Sequence, residues 1–360
     1  MFRPSSVRPG AERERSERMM RVIWNPKHAD HASPGEWESG AIIPCYEAPD
    51  RLGLIRAALE SAGGFTFEEP NKPSEEIVTG VHDAAYVTYL REASAEARRA
   101  RDPAAKQLWP TVFPFGPNPR ATGARALRGR YCFDTYTPIL PGTFAAALGG
   151  ANAAALAADL VAAGAERAVY VMTRPPGHHA EPDRCGGYCY FNNSAVAADR
   201  LSKHGPVAVL DLDVHHGNGT QHIFYARPDV LTVSVHGDPA TLYPFFSGFA
   251  DETGTGAGLG ANLNLPLPHG TGVKEYRPAL AAALDAIRRF KPAFLVFAFG
   301  ADAHEADPIG GFKLPTKFYT EMGAAVRELG LPTVVVQEGG YNPATLGPCV
   351  VEVLKGLRSD

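Results

Sequence analysis

Short apolar runs alternate with longer helical patterns through most of this 360-residue chain. The runs are rich in Val and Leu and nearly continuous in hydrophobicity, as strands buried on both faces are. They occupy residues 168–172, 207–210, 230–235, 293–299 and 333–336. This alternation predicts an α/β fold in which a single-domain parallel sheet is sandwiched by helices.

Helical patterns fill the intervals between the predicted strands, at residues 144–163, 194–204, 274–290 and 316–329. Gly164, Gly205 and Gly330 stand just past three of these patterns. Glycine is the residue preferred immediately after a helix, because it adopts a left-handed conformation without strain. The glycines therefore predict where these three helices end.

The first 21 residues contain many Arg, Pro, Ser and Glu residues and no apolar segment that could serve as the core of a signal peptide. We interpret residues 1–20 as a disordered N-terminal extension, or as extra translation ahead of a start at Met19 or Met20. Residues 21–360 then form one domain, which is an ordinary length for a large α/β domain.

Residues 101–141 interrupt the alternation with seven prolines, several arginines and several aromatic residues. Inserted loops of this length are typically lids, interfaces or binding elements. The alternative is a floppy surface insertion, but disordered segments are usually poor in aromatic residues. The aromatic residues are Trp109, Phe113, Phe115, Tyr131 and Phe133.

Overall composition excludes several classes of partner. A net charge of −4 provides no basic footprint for nucleic acid. No apolar run in the sequence approaches the roughly 20 residues of a membrane span, so we expect no membrane association. The five cysteines are odd in number and scattered, which is not a disulfide framework and favours a reducing, cytoplasmic location. A small-molecule substrate is the expected partner.

Polar and titratable side chains follow four of the predicted strands. Ligands of open α/β sheets bind outside the carboxyl ends of the strands, so these residues are expected to meet at one rim. The segments are RPPGHH at 174–179, DLDVHHGNG at 211–219, GAD at 300–302 and EGGY at 338–341.

Asp213 and His215 lie two residues apart, so on an extended segment they point the same way. With Asp302 they would form three protein ligands of an open catalytic zinc site. An Asp-x-His pair alone is weak evidence, since turns and helix caps often produce one. Asp211 could orient a neighbouring imidazole or hold a structural cation.

The consecutive His178 and His179 are candidates for general acid–base chemistry, with a carboxylate or amide oxygen fixing the tautomer of the base. The alternative is a hydrogen-bonded pair in an ordinary loop. Tyr341 follows two glycines that permit a tight bend, which could place the phenol over the site. Its alternative is a tyrosine packed on the surface.

Taken together, these segments resemble the histone deacetylase superfamily, which also includes the acetylpolyamine amidohydrolases. The resemblance extends over residues 21–357 and is greatest to the acetylpolyamine amidohydrolase branch, through the 101–141 insertion and the motifs HDAAYV (82–87) and PGTF (141–144). The other matching motifs are RPPGHH (174–179), GGYCYFNN (186–193), DLDVHHGNGT (211–220), SVHGDP (234–239), FGADAHEADP (299–308) and EGGY (338–341). This resemblance implies the arginase/deacetylase fold.

The resemblance also implies a role for each matching residue. The implied zinc ligands are Asp213, His215 and Asp302. The implied catalytic residues are His179 as general base and then acid, His178 as its electrostatic partner, and Tyr341, which polarises the scissile carbonyl. The implied supporting residues are Asp211 behind His178, Asn218 behind His179, and Gly187 and Tyr188 in the substrate tunnel. The implied potassium ligands are Asp211, Asp213, His215 and Ser234.

The sequence thus predicts a zinc-dependent amidohydrolase, a deacetylase that hydrolyses the amide of a small acylated amine into an amine and a short carboxylic acid. The sequence does not decide whether the substrate is cationic. The acidic Glu36 and Glu38 would attract a cationic chain, whereas arginines of the insertion would repel one. Those arginines are Arg120, Arg125, Arg128 and Arg130.

The alternatives for function are a deacylase of a neutral or xenobiotic amide or of acetyl-lysine, a manganese ureohydrolase with the same fold, and a non-catalytic acyl-amide-binding protein. The resemblance further implies a homodimer formed through the 101–141 insertion.

Overall fold

The computed structural model describes residues 19–70, 73–114 and 120–358. The strands are β1 Met20–Trp24, β2 Glu36–Glu38, β3 Ala41–Ile43, β4 Phe65–Glu68, β5 Ala168–Met172, β6 Val207–Asp211, β7 Val230–Gly237, β8 Asn262–Leu267, β9 Phe294–Phe299 and β10 Thr333–Gln337. Eight parallel strands form one sheet in the order β4-β1-β5-β10-β9-β6-β7-β8, and β2 and β3 form a separate antiparallel hairpin.

Helices cover both faces of the sheet and enclose two apolar cores. Alternate residues of a strand point to opposite faces, so Tyr170 and Met172 of β5 enter one core while Val169 and Val171 enter the other. The helices are α1 Asp50–Ala62, α2 Ala84–Arg99, α3 Ala124–Leu127, α4 Thr143–Ala162, α5 Asn193–Ser202, α6 Asn218–Phe224, α7 Val273–Phe290, α8 Phe318–Arg327 and α9 Leu346–Leu357. Helices α1, α7, α8 and α9 contribute to the first core, and α2, α4, α5 and α6 to the second.

The predicted parallel sheet is confirmed, and each of the five predicted strands is present within two residues of its predicted bounds. Two of the three predicted helix ends are also confirmed, since Gly164 and Gly330 have φ values of 67° and 69°. The third helix, α5, ends at Ser202, and Gly205 has a φ of 155°, so Gly205 is not a left-handed residue directly after that helix. Three strands of the sheet, β1, β4 and β8, were not predicted. The sequence of β1, MRVIW, contains Arg21 and is not a continuous apolar run. The sequences of β4 and β8, FTFE and NLNLPL, alternate with polar residues. Both lie at edges of the sheet, where one side of a strand faces solvent or loops.

Helix α4 corrects the expectation that no apolar run approaches the length of a membrane span. Its 20 residues are long and apolar enough to cross a membrane by length and composition alone. However, 72% of its apolar window is buried inside the protein, as in a core helix of a globular domain.

The 101–141 insertion is anchored to the domain at several points. Leu108 and Ile139 exchange two backbone hydrogen bonds of 2.9 and 3.2 Å, which close the base of the insertion. Tyr131 stacks on Tyr89 of α2 with ring centroids 4.4 Å apart. Phe115 and two of the seven prolines, at 117 and 119, lie outside the described residues, as do residues 1–18 of the predicted extension. The predicted boundary at residue 20 is too late, because Met20 is buried in β1.

Candidate active site

The sheet order brings the four chemically interesting strand ends together. The strands β5, β10, β9 and β6 are consecutive neighbours in the sheet and run parallel. Their carboxyl ends therefore form one rim, as the sequence predicted.

Three metal-binding side chains meet at this rim. One ligand atom from each of Asp213, His215 and Asp302 lies within 4.8 Å of the other two, and all three residues are buried. The backbone beside them requires glycine, because a Cβ atom on Gly339 would lie 2.0 Å from an oxygen of Asp302. Gly339 also donates its N–H to Oδ2 of Asp213 at 2.8 Å.

The electrostatics of this cluster fit a divalent cation. Burial, together with the charge of Asp213, raises the pKa of Asp302 to about 7. Oδ2 of Asp302 is buried without a hydrogen-bond partner in the described part of the chain, although it lies 3.3 Å from Nδ1 of His215. Two carboxylates and one imidazole are also the donor types of an open zinc site. The residues present therefore fit the metal that the sequence predicted.

The pKa values of the two consecutive histidines are shifted in opposite directions. Nδ1 of His178 lies 2.9 Å from Oδ2 of Asp211. Burial opposes protonation of His178, but Asp211 and Asp213 outweigh it and raise the pKa to about 10. In contrast, burial and the charge of His178 hold the pKa of His179 well below 6.5, and Nδ1 of His179 lies 2.7 Å from Oδ1 of Asn218. Pairs whose pKa values are pushed apart in this way are typical of acid–base sites.

Tyr341 lies at the wall of the same pocket and is 9% exposed. Its backbone N–H donates to Oδ2 of Asp307 at 2.8 Å, and burial raises the pKa of its phenol well above 10. The guanidinium of Arg51 lies 4.8 Å from the ring centroid and donates to the carbonyl of Gly340 at 2.8 Å. Sequence reasoning missed Arg51, because nothing in the pattern of α1 shows that one of its arginines is buried against a loop 289 residues away.

A pocket of about 310 Å³ leads to these groups, with His179, His215 and Tyr341 in its lining. Glu36 and Glu38 of the hairpin also line it. Within the described part of the chain, none of the four insertion arginines lines this pocket. Of the two sets of charges that left the substrate open, the acidic one therefore faces the pocket. Arg128 donates to Thr111, and Arg130 pairs with Asp183.

The predicted tunnel residues Gly187 and Tyr188 form one wall of the pocket. Gly187 has a φ of 56°, and a Cβ atom there would lie 2.2 Å from the imidazole of His179. Its N–H donates to Oδ2 of Asp134 at 2.5 Å, and the same oxygen accepts the hydroxyl of Tyr243 at 2.8 Å.

Sequence reasoning missed both Asp134 and Tyr243. Asp134 lies in the insertion and Tyr243 in the loop after β7, so no strand-end pattern marks them. Only the fold brings them against the tunnel wall.

The residues of the predicted potassium site lie at the ends of β6 and β7. Asp211 and Ser234 are register partners in the sheet. Both line a cavity of about 10 Å³, which is close to the volume that one water-sized species needs. The hydroxyl of Ser234 lies 2.7 Å from Nδ1 of His236.

The histone deacetylase domain profile matches residues 45–357 of the chain. The chain therefore belongs to the histone deacetylase family, and it is an amide hydrolase of the deacetylase class.

Relatives specify the branch further. The chain is 42% identical over 342 residues to the acetylpolyamine amidohydrolase of Mycoplana ramosa, covering 94% of this chain and 99% of the relative. It is 40% identical over 347 residues to acetylpolyamine amidohydrolase 1 of Pseudomonas aeruginosa, with coverages of 94% and 99%. The solved acetylpolyamine aminohydrolase of Burkholderia pseudomallei superposes with a TM-score of 0.89 at 37% identity, covering 94% of this chain and 98% of that one.

Proposed function

We propose that this chain is a zinc-dependent deacetylase of small cationic amides, of the acetylpolyamine type. The observation that carries the proposal is the acidic wall of the pocket that leads to the cluster of Asp213, His215 and Asp302. The names of the relatives support the same substrate class.

The acidic wall of the pocket, formed by Glu36 and Glu38, favours a cationic substrate. Glu36 is 2% exposed, burial raises its pKa, and its Oε2 has no hydrogen-bond partner in the ranges that the structure describes. Glu38 accepts the hydroxyl of Tyr136 at 2.5 Å, which holds its carboxylate in place. An ammonium group on the substrate would offset the cost of burying Glu36, because opposite charges attract strongly in a partly desolvated site.

A zinc ion held by Asp213, His215 and Asp302 would supply a Lewis acid and an activated water. Neutral His179 accepts a proton from the attacking water and later donates it to the leaving amine. Charged His178, held by Asp211, stabilises negative charge that develops beside it. The neutral phenol of Tyr341 donates a hydrogen bond to the carbonyl oxygen of the substrate.

The tunnel wall and a second ion complete the proposed site. The carbonyl of Gly187 accepts the N–H of the substrate amide, while Tyr188 lies along the acyl-amine chain. Potassium is proposed near Asp211, Asp213, the carbonyl of His215 and Ser234. Of these residues, Asp211 and Ser234 line the small cavity, whereas Asp213 and His215 do not.

We also propose a homodimer formed through the 101–141 insertion. Val112 and Phe113 of this insertion are 72% and 40% exposed. Exposed apolar side chains that lie together commonly mark a protein interface. A cytoplasmic location remains part of the proposal.

The substrate class is tested by comparing kcat/KM for an N-acetylated diamine, a neutral amide of the same length without the distal amine, and an acetyl-lysine peptide. We expect the acetylated diamine to be preferred over its neutral analogue by roughly 10-fold or more, the scale of one charge-assisted contact. Equal rates for the charged and neutral amides would contradict the cationic substrate and favour a neutral amide.

The same comparison in Glu36→Gln isolates the acidic wall. The preference for the charged amide should shrink toward unity while kcat for the neutral amide stays within about twofold, because uniform binding affects KM and leaves kcat unchanged. Glu305→Gln is the matched control, since Glu305 is exposed and does not line the pocket.

A further inference from the structure

A continuous line of hydrogen bonds connects His179 to the protein surface. Nδ1 of His179 lies 2.7 Å from Oδ1 of Asn218, and Nδ2 of Asn218 donates to Oε1 of Glu181 at 2.5 Å. The other carboxylate oxygen of Glu181 lies 2.6 Å from Nδ1 of His222. The side chain of Glu181 is 8% exposed, whereas that of His222 is 38% exposed.

The helix α6 and the loop beside it hold these hydrogen-bonded side chains in position. Asn218 and His222 are four residues apart on α6, so their side chains lie on one face of the helix, and the carboxylate of Glu181 bridges them. The helix lies directly against the loop that carries the histidines. A Cβ atom on Gly219 would lie 2.1 Å from the carbonyl oxygen of Ala180.

The contacts of Asn218 determine which way its amide faces. Its Nδ2 donates to the carbonyl oxygen of His179 at 3.2 Å and to Glu181 at 2.5 Å. If the amide were rotated by 180°, its oxygen would face the carboxylate of Glu181, and two acceptors would meet without a proton between them. Glu181 therefore keeps Oδ1 of Asn218 directed at His179.

This orientation determines the tautomer of His179. Because Oδ1 only accepts hydrogen bonds, Nδ1 of a neutral His179 must carry the proton. Nε2 is then left with a free lone pair to accept a proton. The opposite tautomer, with the proton on Nε2, could not act as a base from that nitrogen.

We propose that Glu181 and His222 are positioning residues for His179, in which Glu181 fixes the Asn218 amide and thereby the tautomer of the base, and His222 holds the second oxygen of Glu181. The inference rests on the proposed role of His179 as general base. Neither Glu181 nor His222 lines the pocket, so they act through Asn218.

The charges around His222 favour this arrangement. Burial opposes its protonation, but the hydrogen bond and charge of Glu181 outweigh burial and raise its pKa. Glu252 adds to the rise, Arg184 opposes it, and the ring of Tyr225 packs edge-on at 6.4 Å. A protonated His222 donates a charge-assisted hydrogen bond to Glu181, which holds this carboxylate in place against the amide of Asn218.

The kinetic test compares Glu181→Leu, which removes the acceptor, with Glu181→Gln, which keeps an acceptor oxygen. With an N-acetylated diamine, we expect kcat of Glu181→Leu to fall by roughly 10- to 100-fold, a part of what a general base contributes. KM should stay within about twofold, and Glu181→Gln should recover kcat to within about threefold of the unaltered enzyme. Equal kcat for all three proteins would overturn the inference.

His222→Leu provides a second variant at a half-exposed position, where the fold is little affected. Losing the bond to Glu181 should lower kcat by roughly 3- to 10-fold, the scale of one typical hydrogen bond. His222→Gln keeps a donor and should restore most of this loss. The matched control is His204→Gln, because His204 is exposed at the end of α5 and should leave kcat unchanged. A His222→Leu enzyme with unaltered kcat would contradict the role of His222.

The tautomer itself is read from the ¹⁵N resonances of the imidazole in the zinc-loaded protein labelled at histidine. His179 should show a protonated Nδ1 and an unprotonated Nε2 in the unaltered enzyme and in Glu181→Gln, but a mixture in Glu181→Leu. An unchanged tautomer in Glu181→Leu would overturn the inference whether or not kcat falls. Absence of turnover in the unaltered enzyme would contradict the proposed function alone, since the resonances still report the tautomer.

Discussion

At the scale of single residues, the proposed mechanism assigns the two adjacent histidines different acid–base roles, because they have different partners. Asp211 keeps His178 charged, and that charge in turn lowers the pKa of His179. Identical side chains thus acquire different roles because one faces a carboxylate and the other an amide. The division leads to a pH-dependent prediction.

In the pH profile of kcat/KM, Asp211→Asn should move the rise on the acidic side, the acid limb, to higher pH. In the unaltered enzyme the base must be neutral, so activity rises as pH passes the depressed pKa of His179. Without Asp211, the pKa of His178 falls, so His178 repels a proton on His179 less strongly, and the pKa of His179 rises. A limb that stays in place or moves to lower pH would contradict this electrostatic coupling.

Tyr341→Phe should retain zinc and bind substrate normally, but kcat should fall by roughly 10²–10³, as when one oxyanion donor is removed. Metal content and KM are measured beside kcat to separate donor loss from damage to the site. Tyr225→Phe is the control, since Tyr225 does not line the pocket. An unchanged kcat would show that the phenol of Tyr341 does not contact the reacting carbonyl.

At the scale of elements, close packing of α6 against the loop at 178–181 positions Asn218 behind His179. Gly219→Ala places a methyl group 2.1 Å from the carbonyl oxygen of Ala180, so the helix must shift. We expect a loss of about 1–3 kcal/mol in the free energy of unfolding, as for overpacked cores. Gly53→Ala in α1 meets nothing within 4 Å and should instead add about 0.5–1 kcal/mol.

Urea unfolding of the two glycine variants measures these opposite changes. A neutral or stabilising effect of Gly219→Ala would mean that α6 can move away from the loop without cost.

Sequence reasoning worked where chemistry follows directly from a strand. The apolar runs of β6 and β9 are easy to recognise, and they are followed closely by Asp213, His215 and Asp302. Because the two strands are parallel neighbours in the sheet, these three residues lie close together. It failed for side chains that reach the site from loops. Glu181 and His222 belong to the same network but carry no local pattern that separates them from surface residues.

At the scale of the whole molecule, the hairpin supplies Glu36 and Glu38 to a pocket whose reactive groups lie at the sheet edge. The arginines of the insertion lie outside this pocket's lining. The sequence contains both the acidic residues of the hairpin and the arginines of the insertion, but it does not show which of them line the pocket. The proposed substrate class therefore required the fold.

The proposed dimer is tested at the same scale. The double variant Val112→Ser/Phe113→Ser removes two exposed apolar side chains from the insertion. If the insertion forms the interface, light scattering should report a dimer for the unaltered protein and a monomer, or a measurably weaker dimer, for the variant. A monomeric unaltered protein at micromolar concentration would contradict the dimer.

The central claim is that one zinc ion at Asp213, His215 and Asp302 supports amide hydrolysis, and reconstitution tests it most directly. The protein is stripped with a chelator, titrated with zinc or manganese, and assayed for acetate release from an N-acetylated diamine. Activity should vanish in the stripped protein and return fully at about one zinc per chain, whereas Asp302→Ala should neither hold zinc nor recover. Full activity without metal, or recovery only with two manganese ions per chain, would contradict the account.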